Sequence, residues 1–166
     1  MKATGIYSEA QFDSYLTFVM NQEYFAVSVS KVTELLELQP ITHVPRSPEF
    51  MRGVINLRGA VVPVIDTRIK FNLPAVTDTI DTCIVVMNIE ADQETIKVGA
   101  IVDGVSEVIE VPTDRILPLP AVGKKDRTQF IQGVIKLEEK FIMVLNVDKV
   151  FSTDEVVSLK TETAEA

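Results

Sequence analysis

The side chains able to do chemistry are few. His43 is the single histidine of the 166-residue chain and Cys83 its single cysteine. One imidazole in the extended segment Ile41-Thr42-His43-Val44-Pro45 makes no metal cluster, because a zinc site needs several Cys or His side chains at ligand spacing. Cys83 is followed by Ile84, Val85 and Val86 and reads as a buried core thiol. An apolar setting raises a thiol pKa, the opposite of what a nucleophile needs, although a Cys83–His43 pair stays open. The seven glycines are scattered singly, so neither a P-loop nor a dinucleotide-binding loop can be built from them. Asp66, Asp103, Glu107 and Asp114 are the material for a general acid/base pair, but a chain of formal charge −8 carries many solvated carboxylates. The expectation is a protein that binds other proteins and catalyses nothing, with no metal and no cofactor.

Binding features are better supplied. Arg58 and Gly59 form the tip of a hairpin between two apolar strands. An arginine there puts a five-donor fork in solvent, ready for a partner carboxylate; it reads equally well as a solubilising turn residue. Glu34, set among Val32, Leu35 and Leu36, is the nearest candidate for its internal partner, since an acid in apolar company needs pairing if it is partly buried. The stretch from Val27 to Leu38 holds more aliphatic side chains than one face of a short strand requires, so some of Val29, Val32, Leu35 and Leu36 are candidates for an exposed interaction patch.

The elements that must position these residues are strands. Tyr15–Met20, Tyr24–Val29, Leu35–Leu38, Gly53–Leu57, Val61–Asp66, Cys83–Ile89, Thr95–Val102, Glu107–Val111, Gly133–Leu137 and Phe141–Val147 are rich in β-branched or aromatic residues and separated by turn chemistry. Short strands at this spacing indicate barrels or a sandwich. Helix signals are local: one turn at Ser47-Pro48-Glu49, others at Asp66–Phe71, Pro112–Ile116 and Asn146–Phe151, and a capped helix from Ser152 to Lys160. Residues 1–13 read as a flexible N-terminal segment and 153–166 as a short helix with an acidic tail, leaving one domain over 14–152. No apolar run reaches the roughly 20 residues that span a bilayer, and the acidic balance argues against nucleic acid. The expected compartment is the cytoplasm.

An internal repeat organises the chain. Phe50-Met51-Arg52-Gly53-Val54-Ile55-Asn56-Leu57 overlays Phe130-Ile131-Gln132-Gly133-Val134-Ile135-Lys136-Leu137, and the phase carries Val64 onto Val144, Ile65 onto Leu145, Asp66 onto Asn146 and Phe71 onto Phe151. Upstream, the segment from Ala26 to Leu35 echoes that from Gly99 to Val108. The chain reads as two related β-barrels.

The string Phe50-Met51-Arg52-Gly53-Val54-Ile55-Asn56-Leu57-Arg58-Gly59, followed by Val62-Pro63-Val64-Ile65-Asp66 and later by Val102-Asp103-Gly104-Val105-Ser106-Glu107-Val108, resembles the CheW family of chemotaxis coupling proteins. The resemblance runs from about Tyr15 to Phe151. It implies an all-β fold of two small SH3-like or OB-like five-stranded barrels related by a pseudo-twofold, with a few short helices. It also implies a cytoplasmic adaptor, held in receptor arrays at the inner face of the membrane without inserting into it. Its partners would be the cytoplasmic tips of methyl-accepting chemoreceptors and the regulatory domain of the histidine kinase CheA. An adaptor of a twitching or other chemosensory pathway fits the same residues. Carried over by position, Leu16, Val29, Val32 and Leu35 would face the kinase. Glu34, Arg58 and Val105 would meet a receptor helix in the cleft between barrels, with Gly53 and Asn56 shaping the hairpin base.

Overall fold

A computed structural model describes residues 11–74, 77–119 and 130–151. The expected helix over Ser152–Lys160, the tail and the first ten residues lie outside them. Strands β1 (Phe12–Met20), β2 (Glu23–Ser28), β8 (Gly104–Pro112), β9 (Ile116–Leu117), β10 (Ile131–Leu137) and β11 (Lys140–Leu145) form one curled sheet in the order β8-β1-β2-β11-β10-β9. Strands β3 (Val32–Glu37), β4 (Met51–Leu57), β5 (Ala60–Asp66), β6 (Cys83–Ala91) and β7 (Glu94–Val102) form the other, in the order β3-β6-β7-β5-β4. The second sheet has the expected five strands; the first gains the two-residue β9.

The repeat is visible in the ladders. The second strand of each hairpin joins its sheet by a parallel pairing, Val64 opposite Gly99 in one and Val144 opposite Ala26 in the other, and these are residues that overlay in the sequence. Each hairpin also carries a bulge at the same place, between Met51 and Gly53 and between Ile131 and Gly133. Yet the two halves of the chain do not each close a barrel of their own. β3 follows β2 but pairs with β6, and β8 follows β7 but pairs with β1, so each half starts in one sheet and, from its third strand on, continues in the other. At the β1 bulge Thr17 repairs the ladder, its hydroxyl donating to the Glu107 carbonyl at 2.8 Å and accepting from the Glu107 N–H at 3.0 Å.

Core placement follows from strand alternation. Leu16, Phe18 and Met20 of β1, Phe25 and Val27 of β2, Val85, Met87 and Ile89 of β6, and Ile96, Val98 and Ala100 of β7 share one buried cluster between the sheets. The alternate residues fill each barrel: Ile84, Val86 and Ile101 with Val62 and Val64 in one, Tyr15 and Ala26 with Ile142 and Val144 in the other. The central hairpins are therefore covered on both faces, which is why their sequences run as near-continuous apolar stretches.

Two short α-helical turns are capped by a side chain: Asp66 caps Thr67–Lys70 by accepting the Arg68 N–H, and Asn146 caps Val147–Phe151 by accepting the Lys149 N–H. The 3-10 turn Thr113–Arg115 forms without a side-chain cap. Ser47-Pro48-Glu49 is not helical. The Ser47 hydroxyl donates back to the Val44 carbonyl at 2.7 Å instead of capping forward, and Met51 N–H closes a turn onto Pro48. β1 also starts at Phe12 rather than Tyr15, because Phe12 and Asp13 pair with Pro112 and Val111.

Candidate functional site

The five-stranded sheet leaves β3 and β4 as its two edges, and the site lies where the curl brings them together. Thr42, just past β3, exchanges backbone hydrogen bonds with Val54 at 2.9 and 2.8 Å. Farther along the seam, Arg58 reaches from the β4–β5 turn to Glu34 on β3, both guanidinium Nη atoms donating to its carboxylate. Arg58 and Gly59 occupy the two central turn positions with φ of 52° and 90°, as a tight turn matching the strand twist requires. The Asn56 side chain accepts the Gly59 N–H at 2.8 Å and fixes the tip. Arg58's hydrogen bond and charge hold the Glu34 carboxyl below its usual pKa against partial desolvation, so the pair is ionised at neutral pH.

Three of the five residues expected to meet a receptor are thus assembled: Glu34, Asn56 and Arg58. Gly53 is buried at the base of the same hairpin, against the Thr42 backbone. Val105 belongs to the other sheet, opposite Phe18 of β1. Of the four expected to face the kinase, Val29 is exposed on the crossover from β2 to β3, Leu35 is exposed on β3 and Val32 is half-buried. Leu16 is a correction: it packs in the inter-sheet core, because both faces of β1 are covered, and it offers no surface to a partner.

Three charged residues went unread in the sequence. Arg68, only 2% exposed, grips Asp66 with two donors, Nε at 2.9 Å and Nη2 at 3.0 Å. It also donates to Asp78 and to Asp103, each at 3.0 Å. Arg52 joins Asp66 at 3.0 Å and Asp78 at 3.1 Å. Asp103 accepts the Asn21 N–H from the β1–β2 turn at 2.8 Å, so the chain of contacts runs from one barrel to the other. Burial pushes the Asp66 carboxyl up, but hydrogen bonds and charge from Arg68 and Arg52 outweigh it and hold the pKa below the ordinary value. The available signal was a cation two residues after a strand-ending acid, Asp66-Thr67-Arg68.

Between the barrels, a groove of about 630 Å³ is lined by Phe25, Phe71, Leu73, Phe130, Met143 and Leu145 among others, with Phe71 and Phe130 stacked at 6.2 Å. None of the five expected receptor residues lines it. Cys83 is half-buried rather than fully enclosed; desolvation is the main cause raising its pKa, the Asp81 charge adding to it and the Val105 N–H opposing. At pH 8 it should alkylate with iodoacetamide more slowly than a free thiol and reach the free rate in denaturant. Equal rates in both conditions would mean an open, unperturbed thiol.

The geometry can be set beside known proteins. A family model described as a CheW-like domain matches residues 14–155. The chemotaxis protein CheW of Klebsiella aerogenes is 32% identical over 142 residues, covering 86% of this chain and 83% of that protein. The Bacillus subtilis protein of the same name is 32% identical over 142 residues, covering 86% and 88%. Among solved structures, the scaffolding protein TtCheW from Thermoanaerobacter tengcongensis superposes with a TM-score of 0.77 at 30% identity, over 87% of this chain and 96% of that one.

Proposed function

Because the chain belongs to the family of CheW-like domains, we propose that it is a chemotaxis adaptor that joins the cytoplasmic tips of methyl-accepting chemoreceptors to the regulatory domain of the histidine kinase CheA. The relatives reported above are named as chemotaxis proteins, which favours chemotaxis over twitching or another chemosensory pathway. The carrying observation is a paired exposure of large apolar side chains at positions that overlay in the repeat. Leu35 is 47% exposed and its counterpart Val108 59%; Val61 is 56% and its counterpart Phe141 60%. Single exposed apolar residues are ordinary, but the same ones left open on both barrels suit a protein that meets two barrel-shaped neighbours at once. A kinase regulatory domain of like fold offers such surfaces. A few anchors of this size suffice for specific association, each contributing about 1.5 to 3 kcal/mol when buried.

The receptor side is assigned to the tip of the β4–β5 hairpin. Apolar contacts there supply affinity and the Arg58–Glu34 pair supplies register for an incoming helix. Arg58→Glu sets two acids against each other on the solvent side of the seam while leaving both hydrophobic cores whole. We expect receptor-fragment binding to weaken by about tenfold or more, since like charges at a contact are strongly unfavourable, with kinase-domain binding and the unfolding midpoint little changed. Titration calorimetry with each partner and a thermal melt read all three. Failure of the unsubstituted protein to bind either partner would sink the proposal, and an unfolded Arg58→Glu variant would sink the surface role of Arg58.

A further inference from the structure

Each half of the chain crosses once between the sheets, from β2 to β3 and from β7 to β8, and each crossover is fastened to the helical turn that follows a hairpin. At the β7–β8 crossover, Asp103 takes Arg68 of the turn Thr67–Lys70. At the β2–β3 crossover, Lys31 reaches Asp148 of the turn Val147–Phe151, with Nζ 3.0 and 2.8 Å from its two oxygens. Arg68 overlays Asp148 in the repeat, and Asp103 overlays Ser30, the neighbour of Lys31. The two fastenings are pseudo-equivalent with the charges exchanged. In each, the carboxylate also accepts a backbone N–H from the opposite barrel: Asn21 on Asp103 and Glu90 on Asp148, at 2.8 and 2.9 Å.

They differ in how firmly they are set. The Arg68 fastening is buried and shared among five charged groups. Lys31 and Asp148 form a single pair with side chains 28% and 32% exposed, a setting in which an ion pair adds little to global stability but is sensitive to salt. Lys31 closes the 3-10 turn that begins at Val29, and the Val32 N–H caps that turn on the Val29 carbonyl. Val29 opens that turn and Val32 is its cap residue.

We infer that Lys31 and Asp148 form a positioning latch: reaching from the second barrel's terminal helical turn, Asp148 holds the β2–β3 crossover in the form that presents Val29, just ahead of β3, to a partner barrel. The inference rests on the kinase-facing reading for its consequence, but the latch itself acts in the free protein. Lys31→Met removes the ammonium and keeps the stem, and Asp148→Asn removes the charge and keeps an acceptor for Glu90.

The decisive measurement is amide exchange at Val32 in the two single variants and the double variant. Each single change should speed it about threefold to fivefold, the double no more than either alone, and 1 M salt should bring the unsubstituted protein most of the way to the variants. Affinity for a CheA regulatory domain should fall by a similar factor in all three variants while receptor-fragment binding holds. Unchanged exchange overturns the latch. So does a loss of kinase affinity in Lys31→Met with Asp148→Asn silent, which makes Lys31 a direct contact, or an equal loss of both partners, which makes the effect general loosening. If the unsubstituted protein binds no kinase domain, the proposed function falls and the exchange data alone decide the latch.

Discussion

Replacing Arg68 by methionine should destabilise the protein by about 3 to 5 kcal/mol, the usual cost of stranding the partners of a buried ion network. For a domain of this size that is a fall in Tm on the order of 10 °C. The side chain is 2% exposed and its donors serve Asp66, Asp78 and Asp103. Methionine fills similar volume, so the loss is electrostatic rather than a cavity. What is left is three carboxylates with Arg52 as their remaining network cation. Asp66 suffers most, because the desolvation now outweighed by its two arginines would have only Arg52 against it. Adding Asp66→Asn should recover part of the loss by removing the least solvated charge.

Acid should act on this network with a definite sign. The folded-state pKa of Asp66 is held below its unfolded value, as is that of Asp78, for which the Arg52 hydrogen bond is the largest cause. Depressed carboxylates stabilise fully above the unfolded pKa near ~3.9, and that stabilisation is lost as pH falls through the folded values. Native stability should therefore decline steeply below about pH 4. In Arg68→Met, Asp66 keeps only the Arg52 contribution to that depression, so it has less to lose and the gap between variant and parent should narrow over the same range. Urea titrations at pH 7, 5 and 3.5 measure it; a gap that stays constant with pH would mean that Arg68 acts through packing alone.

How much of this was legible in the sequence depends on the range of the interaction. The β4–β5 hairpin and its echo at β10–β11 were readable because turn chemistry and strand alternation are local. The Arg58–Glu34 pair was within reach because an acid among aliphatic residues begs a partner and Arg58 sat at a tip. The crossing of each half from one sheet to the other, at β3 and at β8, was not readable. An edge strand pairs with whichever partner the global curl presents, and nothing in Val32–Glu37 distinguishes β2 from β6 as its neighbour. Leu16 was grouped with Leu35 by position in the family resemblance, but the two lie in different sheets and Leu16 faces the core between them. Arg68 was passed over because a cation after a strand normally ends in solvent, and its burial depends on Asp78 and Asp103, 10 and 35 residues further along the chain, which nothing local to Arg68 brings to it.

Gly53→Ala should be the most damaging single methyl in the first hairpin, at about 3 kcal/mol or more. Two independent faults coincide there. Its φ of +152° is a backbone region that side chains rarely enter, and a Cβ would lie 2.2 Å from the Thr42 carbonyl oxygen and 2.7 Å from Ile41 Cγ2. The blocking atom is backbone and cannot swing aside, because Thr42 is tied to Val54 in both directions. Relief requires opening the seam that closes the barrel. Two other glycines separate the faults. Gly59 has φ +90° but nothing within 4 Å of a Cβ, so alanine there should cost only the conformational term, about 1 to 2 kcal/mol. Gly133, the repeat counterpart of Gly53, meets Ile116 Cγ2 at 2.6 Å and the Leu117 carbonyl oxygen at 2.8 Å, so its alanine should fall between. The close approach of Ile41-Thr42 to one hairpin and of Ile116-Leu117 to the other is the same contact made twice, and it explains why both hairpins place glycine at the bulge. Chemical denaturation of the three variants should rank the losses Gly53 above Gly133 above Gly59. A Gly59→Ala loss as large as that of Gly53→Ala would show that backbone conformation, not the crowding at Thr42, decides the cost.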